Sequence, residues 1–277
     1  MRLIELADAA TFLQRTSALL LASEAESGLL LSSVLTLARS SVGRSPKLSY
    51  FVVEDCGKAL CAALHFSEKR LLISTATQGA AIFLGVEFAN RKIAVRAVLG
   101  PLTAAQSFAS RYSRTCGDVL ARKQTQYVLR LDTPPLFSAA PGLWRAAREK
   151  DKDILVKWSL DFVMECGLEE PQDETVEVVC RYLEERRLFI WEHQHPVAMA
   201  GYGGLTPNGA RVNMVYTAPE SRSRGFAASL VSGLSRRLLS SGKHRYCYLF
   251  VDAENEAANR VYQRLGYIRV GEAADFR

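Results

Sequence analysis

Val215-Tyr216-Thr217-Ala218-Pro219-Glu220-Ser221-Arg222-Ser223-Arg224-Gly225-Phe226-Ala227 decides how this chain is read. Val212 to Thr217 is an apolar run that predicts a buried strand. A turn containing Arg222-x-x-Gly225-x-Ala227 follows. Beyond it, Ala227, Leu230, Val231, Leu234 and Leu238 recur at the spacing of one helix face. A helix N-terminus leaves about four backbone N–H groups without partners, and its dipole favours an anion. Gly225 has no Cβ and Ala227 only a methyl, so a phosphate can approach the backbone closely. The turn is a candidate pyrophosphate cradle. The plainer reading is an ordinary helix start with surface arginines.

Arg-x-x-Gly-x-Ala recurs by chance, and the sequence downstream changes the weighing. Arg245 to Val251 is apolar on both faces, as a central strand is. From Asn255 to Tyr267, Ala258, Val261, Tyr262 and Leu265 form a second helical stripe, and Gly266 is placed to end it. Asn255 and Tyr262 are seven apart and share a helix face.

With these three segments together, the chain resembles the GNAT superfamily of acetyl-CoA-dependent N-acetyltransferases over roughly residues 187–271. Its whole layout is similar to bacterial GNAT proteins with a long N-terminal extension. The resemblance implies an α/β (α+β) fold, with a mixed central sheet flanked by helices in the C-terminal half. It implies that strand 212–217 splays from strand 245–251 and that the pantetheine arm lies in the gap. Val215 and Thr217, flanking Tyr216, would bond the arm through their backbones. Arg222, Ser223, Arg224, Gly225, Phe226, Ala227 and Ala228 would form the pyrophosphate site. Asn255, with Asn259 one turn on, would add cofactor contacts.

The same resemblance implies that Tyr262 sits near the thioester sulfur and protonates the leaving thiolate; the alternative is a core tyrosine closing its helix onto the sheet. The implied reaction is direct attack of an amine on acetyl-CoA while both are bound. Glu192, at the end of a strand leading to the acceptor side, is the first candidate base. His193 and Tyr202 come second, and a solvated Glu at a strand end is the competing reading. Acceptor pockets in this family are built from loops with no shared motif, so the amine acceptor stays open.

Bulk properties agree. A length of 277 residues allows two domains, and 48% hydrophobic residues supply a core for each. A net charge of +6 suits a cofactor carrying several phosphates and is too small to indicate nucleic-acid binding. Ala18 to Leu37 is the most apolar stretch near the start, but Glu24 and Glu26 interrupt it, so no membrane span is expected. The start also lacks an export pattern, and a cytoplasmic enzyme, monomer or homodimer, is expected. The six cysteines lack framework spacing and read as reduced, mostly buried thiols. His193 and His195 have the i, i+2 spacing of some metal pairs, but with no third ligand a hairpin end is expected and no metal.

Asp132-Thr-Pro-Pro-Leu-Phe-Ser-Ala-Ala-Pro-Gly142 breaks both helix and central strand. It places a linker at 132–141 between residues 1–131 and 142–277. The second part predicts the order βααβββαβαβ, with strands at Leu143 to Ala147, Arg187 to Glu192 and Pro196 to Tyr202, and helices at Lys152 to Cys166 and Glu174 to Glu185. Asn208-Gly209 predicts a type I′ hairpin. The first part predicts helices near 4–14 and 24–40, strands at 48–54, 58–66 and 70–75, a helix at 78–89, a strand at 92–99, a helix at 103–112 and a strand at 124–131. That order points to a second, degenerate GNAT-like domain; an unrelated accessory α/β domain is the alternative. Its phosphate turn is missing. Thr77-Gln78-Gly79-Ala80 stands where Arg-x-x-Gly-x-Ala would, and the helix in the Asn-to-Tyr position begins at Pro101.

Three other functions remain open. They are an aminoacyl transferase built from paired GNAT domains, a tandem enzyme similar to mycothiol synthase, and a non-catalytic acyl-CoA sensor.

Overall fold

Both halves of the chain lay down the same ten elements. The structure is a computed structural model that describes residues 1–39, 48–137, 139–169 and 171–277. The N-terminal half runs β1 (Arg2–Leu6), α1 (Ala9–Ala22), α2 (Gly28–Arg39), β2 (Leu48–Asp55), β3 (Lys58–Phe66), β4 (Arg70–Ile73), α3 (Gln78–Asn90), β5 (Ala97–Pro101), α4 (Leu102–Cys116) and β6 (Arg122–Leu131). The C-terminal half repeats it as β7 (Leu143–Ala146), α5 (Lys152–Glu165), α6 (Gln172–Glu184), β8 (Leu188–His193), β9 (His195–Gly203), β10 (Gly209–Thr217), α7 (Phe226–Ser240), β11 (Tyr246–Asp252), α8 (Glu256–Arg264) and β12 (Ile268–Phe276).

The helix expected near 4–14 is a correction. Arg2–Leu6 is a strand paired antiparallel with β2, and α1 starts only after Asp8, whose carboxylate accepts from the Thr11 N–H at 2.8 Å. Leu3 and Leu6 go to cores on opposite faces of the sheet, which a strand permits. The strand expected from Lys92 begins only at Ala97. Residue 40 of the helix expected at 24–40, and residue 138 of the linker, lie outside the described residues.

Among the described residues the strands form one sheet, ordered β1-β2-β3-β4-β5-β12-β6-β11-β10-β9-β8-β7. Each half places its last strand in the other half's sheet. β12, the end of the chain, pairs with β5, while β6 pairs with β11, and the two meet antiparallel at the centre. The pairs β4–β5 and β10–β11 are parallel; the other neighbours are antiparallel. The chain between β6 and β7 thus joins halves that are interlocked by strand exchange.

One face of the sheet packs against α3 and α4, through Leu84, Phe88 and Phe108, and against α7, through Leu230, Val231 and Leu234. The other face carries α1, α2, α5 and α6. Each fully buried side chain of this size stabilises the fold by about 1.5–3 kcal/mol. Over the centre of that second face, Ala25, Val128, Tyr248 and Ala273 join the halves. Glu24 adds a clasp, its carboxylate accepting from the Asn208 N–H and from Asn208 Nδ2, both at 2.7 Å.

That clasp bears on another correction. β9 and β10 are joined by residues 204–208, and neither Asn208 nor Gly209 has the positive φ of a type I′ turn. Gly204 does, at 50°. All six cysteines are free, but Cys56 and Cys116 are exposed and only Cys61 and Cys247 are fully buried.

Candidate active site

β10 and β11 pair over only three positions, Gly209 with Tyr246, Ala210 with Cys247 and Arg211 with Tyr248. Beyond them the strands part. A bulge on the β9 side deepens the break: the register shifts between Asn213 and Tyr216, and Met214 takes a φ of 51°. Met214 and Val215 therefore fall outside the register with β9, and both residues line the gap. A cavity of about 500 Å³ opens there. Val215, Val251, Asp252, Asn255 and Tyr262 line it from the C-terminal half; Glu26, Leu30 and Gly100 line it from the N-terminal half.

The corresponding gap in the N-terminal half is shut. β4 and β5 pair over 70–72 and 97–99, and Gly100 then lies so close to Ile73 that a Cβ would strike the Ile73 carbonyl.

The two halves also differ at the helix that follows the splay. Gly225, the N-cap of α7, has a left-handed φ of 79° and supplies no side-chain cap. The first helical bond is from the Ser229 N–H to the Gly225 carbonyl, at 3.0 Å. Within the described residues, the N–H groups of Phe226, Ala227 and Ala228 are left for another acceptor. Ser223, Arg224 and Gly225 are exposed, and Ser223 is also left-handed, at 61°. By contrast, the Thr77 hydroxyl closes α3 by accepting from the Ala80 N–H at 3.3 Å.

Arg222 is not free over the turn. Its guanidinium holds both carboxylate oxygens of Glu165, at 2.7 and 2.8 Å, and its Nε donates to the Thr217 carbonyl at 3.0 Å. Arg222 thereby ties the turn to the end of α5. Arg224 lies over the Phe226 ring at 4.9 Å. The Phe226 side chain is buried, as is Tyr216, whose hydroxyl reaches Glu165 at 3.3 Å. These residues face the gap and the turn through their backbones.

Tyr262 lines the cavity with only 8% of its surface exposed and packs edge-on against Tyr267, centroids 5.8 Å apart. Its hydroxyl has no hydrogen bond among the described residues. Burial pushes the phenol above its ordinary pKa, and Cys166 adds to this. Asn255 lines the same cavity and caps α8 by accepting from the Ala258 N–H at 3.0 Å. Asn259 is used differently. It is buried and donates to the carbonyls of Asp252, Ala253 and Asn255, so it shapes the loop that carries Asn255.

The three residues expected as bases are not brought to the cavity. Glu192 lies at the far edge of the sheet, opposite Leu143, and its carboxylate is engaged by Arg145. Arg145 also grips Asp151, at 2.7 and 2.9 Å. Its hydrogen bonds, ahead of any other cause, hold the Asp151 carboxyl below the usual range. Glu192 is thus ion-paired with Arg145 and does not line the cavity. His193 packs on Phe226 at 5.4 Å and sits opposite His195 across a turn at Gln194. Tyr202 packs near Phe189. No group of three potential metal ligands occurs among the described residues.

The residues missed in the sequence are those that fold topology brings in: Arg211, Asp252, Asp275 and, from the other half, Glu26. Asp252 accepts from Gln124 Nε2 and from the Glu254 N–H, both at 3.0 Å. Only the splay and the strand exchange place these residues together, so no local spacing marks them.

Residues 153–267 match the model of the acetyltransferase (GNAT) family. No curated protein matches the sequence. The fold as a whole is similar to solved structures. One is a GCN5-related N-acetyltransferase from Sphaerobacter thermophilus, at 16% identity and a TM-score of 0.64, covering 99% of this chain and 94% of that one. Another is a GNAT-family acetyltransferase from Colwellia psychrerythraea, at 13% and 0.59, covering 100% and 99%. A third is a tandem GNAT protein from the clavulanic acid biosynthesis pathway, at 13% and 0.59, covering 99% and 98%. Residues 153–267 thus form an acetyltransferase domain of the GNAT family, in a chain whose fold over both halves is similar to that of such proteins.

Proposed function

We propose that the protein transfers an acetyl group from acetyl-CoA to an amine held in the central cavity. The observation that carries this reading is the pairing of an open gap with an open helix end in one half only. The β10–β11 gap gives the pantetheine arm a slot beside Met214 and Val215, which lie outside the β9 register. The uncapped N-terminus of α7 offers the pyrophosphate the N–H groups of Phe226 to Ala228, with Ser223, Arg224 and Gly225 on the approach. Val215, Tyr216 and Thr217 would contribute backbone contacts to the arm. Asn255 would meet the cofactor at the cavity, and Arg222 and Asn259 would hold the turn and the loop in shape.

In the transfer, the amine nitrogen bonds to the acetyl carbon and the carbon–sulfur bond breaks. The ammonium proton is lost before attack, and the departing thiolate takes a proton. Tyr262 is suited to supply that proton. Its phenol stays neutral at pH 7, and the burial that raises its pKa also raises the basicity of a thiolate formed beside it. Peptide N–H groups at the bulge can polarise the thioester carbonyl.

Residues 142–277 carry the chemistry in this reading, residues 1–131 form a degenerate partner that walls the acceptor side, and 132–141 link them. Six free thiols suit a reducing compartment, and we assign the enzyme to the cytoplasm. A tandem enzyme with acyl-CoA in both halves is disfavoured by the Thr77 cap and by the contact of Gly100 with Ile73.

Calorimetric titration with acetyl-CoA tests the proposal. One site per chain is expected, together with thiol release when amines are screened. Two sites would overturn the assignment of roles to the halves. Tight binding with no thiol release across amino acids, polyamines, aminoglycosides and peptide N-termini would favour the sensor.

A further inference from the structure

Two glycines make room for cavity-lining charges that no other charge meets. Gly204 lies beside Arg211, and a Cβ on it would stand 2.9 Å from Arg211 Nε. Gly271, in β12, lies beside Glu26, and a Cβ there would stand 2.5 Å from Glu26 Oε1. Arg211 and Glu26 both line the cavity. Within the described residues neither forms an ion pair or a hydrogen bond, and Arg211 Nε is buried without an acceptor. Burial pushes the Glu26 carboxyl above its ordinary pKa, the mark of a carboxylate without a counter-charge.

Of the other charges at the cavity, Glu165 is met by Arg222 and Asp275, through one oxygen, by Arg277, while Asp252 accepts from neutral donors and Arg181 lies over the Tyr182 ring. Asn213, two residues along from Arg211, donates to the Tyr182 hydroxyl at 3.0 Å and leaves its own Oδ1 unmet.

A desolvated lone charge is costly until a partner arrives. Two of opposite sign in one chamber are relieved together by a ligand that carries both signs. The spacing adds a length. Arg211 stands on β10 and Gly271 on β12, with β11 and β6 between them. Three strand spacings of about 4.8 Å separate their backbones, and both side chains line the one cavity. An α-ammonium and its own carboxylate are too close together to serve both ends, whereas a chain of several methylenes spans them. Leu29, Leu30 and Leu99 give such a chain an apolar wall.

We infer that the acceptor is an amino-carboxylate of about the length of lysine, its carboxylate taken by Arg211 and an ammonium facing Glu26. This rests on reading the cavity as the acceptor chamber of the acyl transfer proposed above.

The test is calorimetry on the full chain, with and without CoA, using three probes. Lysine has the carboxylate and two amines, 6-aminohexanoate keeps the carboxylate and one amine, and cadaverine is lysine without the carboxylate. Lysine and 6-aminohexanoate should bind the wild type, and cadaverine should bind at least about tenfold more weakly, the scale of one charge-assisted contact. Arg211→Gln should erase the difference between lysine and cadaverine, while Arg211→Lys should keep part of it. Glu26→Gln should weaken lysine and cadaverine alike, with the affinity for acetyl-CoA unchanged. Melting curves establish that each variant is folded. The inference is overturned if cadaverine binds the wild type as well as lysine does, if neither amino-carboxylate binds, or if folded Arg211→Gln and Glu26→Gln bind lysine as the wild type does. Acetyl-CoA is titrated separately into the same samples. Its failure to bind the wild type would strike the acetyl-transfer reading, and the arms without CoA would still decide on the amino-carboxylate.

Discussion

Gly225 acts through backbone geometry. A Cβ there would meet only the Ala140 Cβ, at 3.8 Å, so space alone does not demand glycine. The left-handed φ of 79° does, at a cost of about 1–2 kcal/mol for any other residue. Gly225→Val should lower stability by about that amount and reduce acetyl-CoA affinity at least roughly tenfold, because a branched side chain would stand over the phosphate approach. An unchanged Kd would remove the cradle from the account. Tyr262 is the complementary case, in which the proposed role rests on one proton. Tyr262→Phe keeps the ring against Tyr267 and should leave acetyl-CoA affinity unchanged while kcat falls by about 10²–10⁴. Steady-state kinetics with wild-type kcat would reduce the phenol to packing. At Asp151 the readout is pH. Its carboxyl is held low in the folded state, so the stability it contributes is present above the ordinary carboxylate value of about 3.9 and is lost as pH falls through the lower folded value. The melting-temperature gap between wild type and Asp151→Asn should be level above about pH 4 and close on further acidification. A gap that held level throughout would mean that the pair with Arg145 does not set it.

At the scale of elements, strong periodicity was legible and pairing was not. The stripe through Leu230, Leu234 and Leu238 gave α7, and the two-sided apolar run gave β11. Arg2–Leu6 misled because five residues, Leu3, Ile4 and Leu6 among them, fit either period, and only β2 alongside settles which. Asn208-Gly209 misled because Asn208 serves the Glu24 carboxylate, a partner 184 positions away. The bulge at Met214 and Val215 also left no local mark, although it interrupts the ladder at the gap. The missing cradle in the first half was legible. Thr77 stands where a glycine turn would, and its hydroxyl caps α3. Thr77→Ala should therefore cost about 1 kcal/mol of stability, the worth of an N-cap, without altering acetyl-CoA affinity. Any change in that affinity would show the first half taking part in cofactor binding.

For the whole molecule, the exchange of β6 and β12 makes the linker dispensable and the halves inseparable. A fragment 1–131 would lose β12 from beside β5 and expose β6; a fragment 142–277 would lose β6 from between β11 and β12. Each would present unpaired ladder groups along a strand that is central in the intact sheet, a ready template for aggregation. Buried surface at Val128, Tyr248 and Ala273 would be exposed as well. The linker itself makes few ties, such as the Ala140 N–H to Ser229 Oγ at 2.8 Å and the Trp191 indole N–H to the Pro141 carbonyl at 3.2 Å, and Leu136 is 99% exposed. Expressed singly, neither fragment should show a cooperative melt. Co-expressed, they should purify as a one-to-one complex that binds acetyl-CoA at a single site, and an intact chain nicked at Leu136 should stay together on a sizing column. A soluble 142–277 fragment that melts cooperatively and binds acetyl-CoA like the whole chain would show that the C-terminal half needs neither β6 nor the wall the other half supplies. The acceptor chamber would then have to be sought within one half, because Glu26 reaches the cavity only through that interlock.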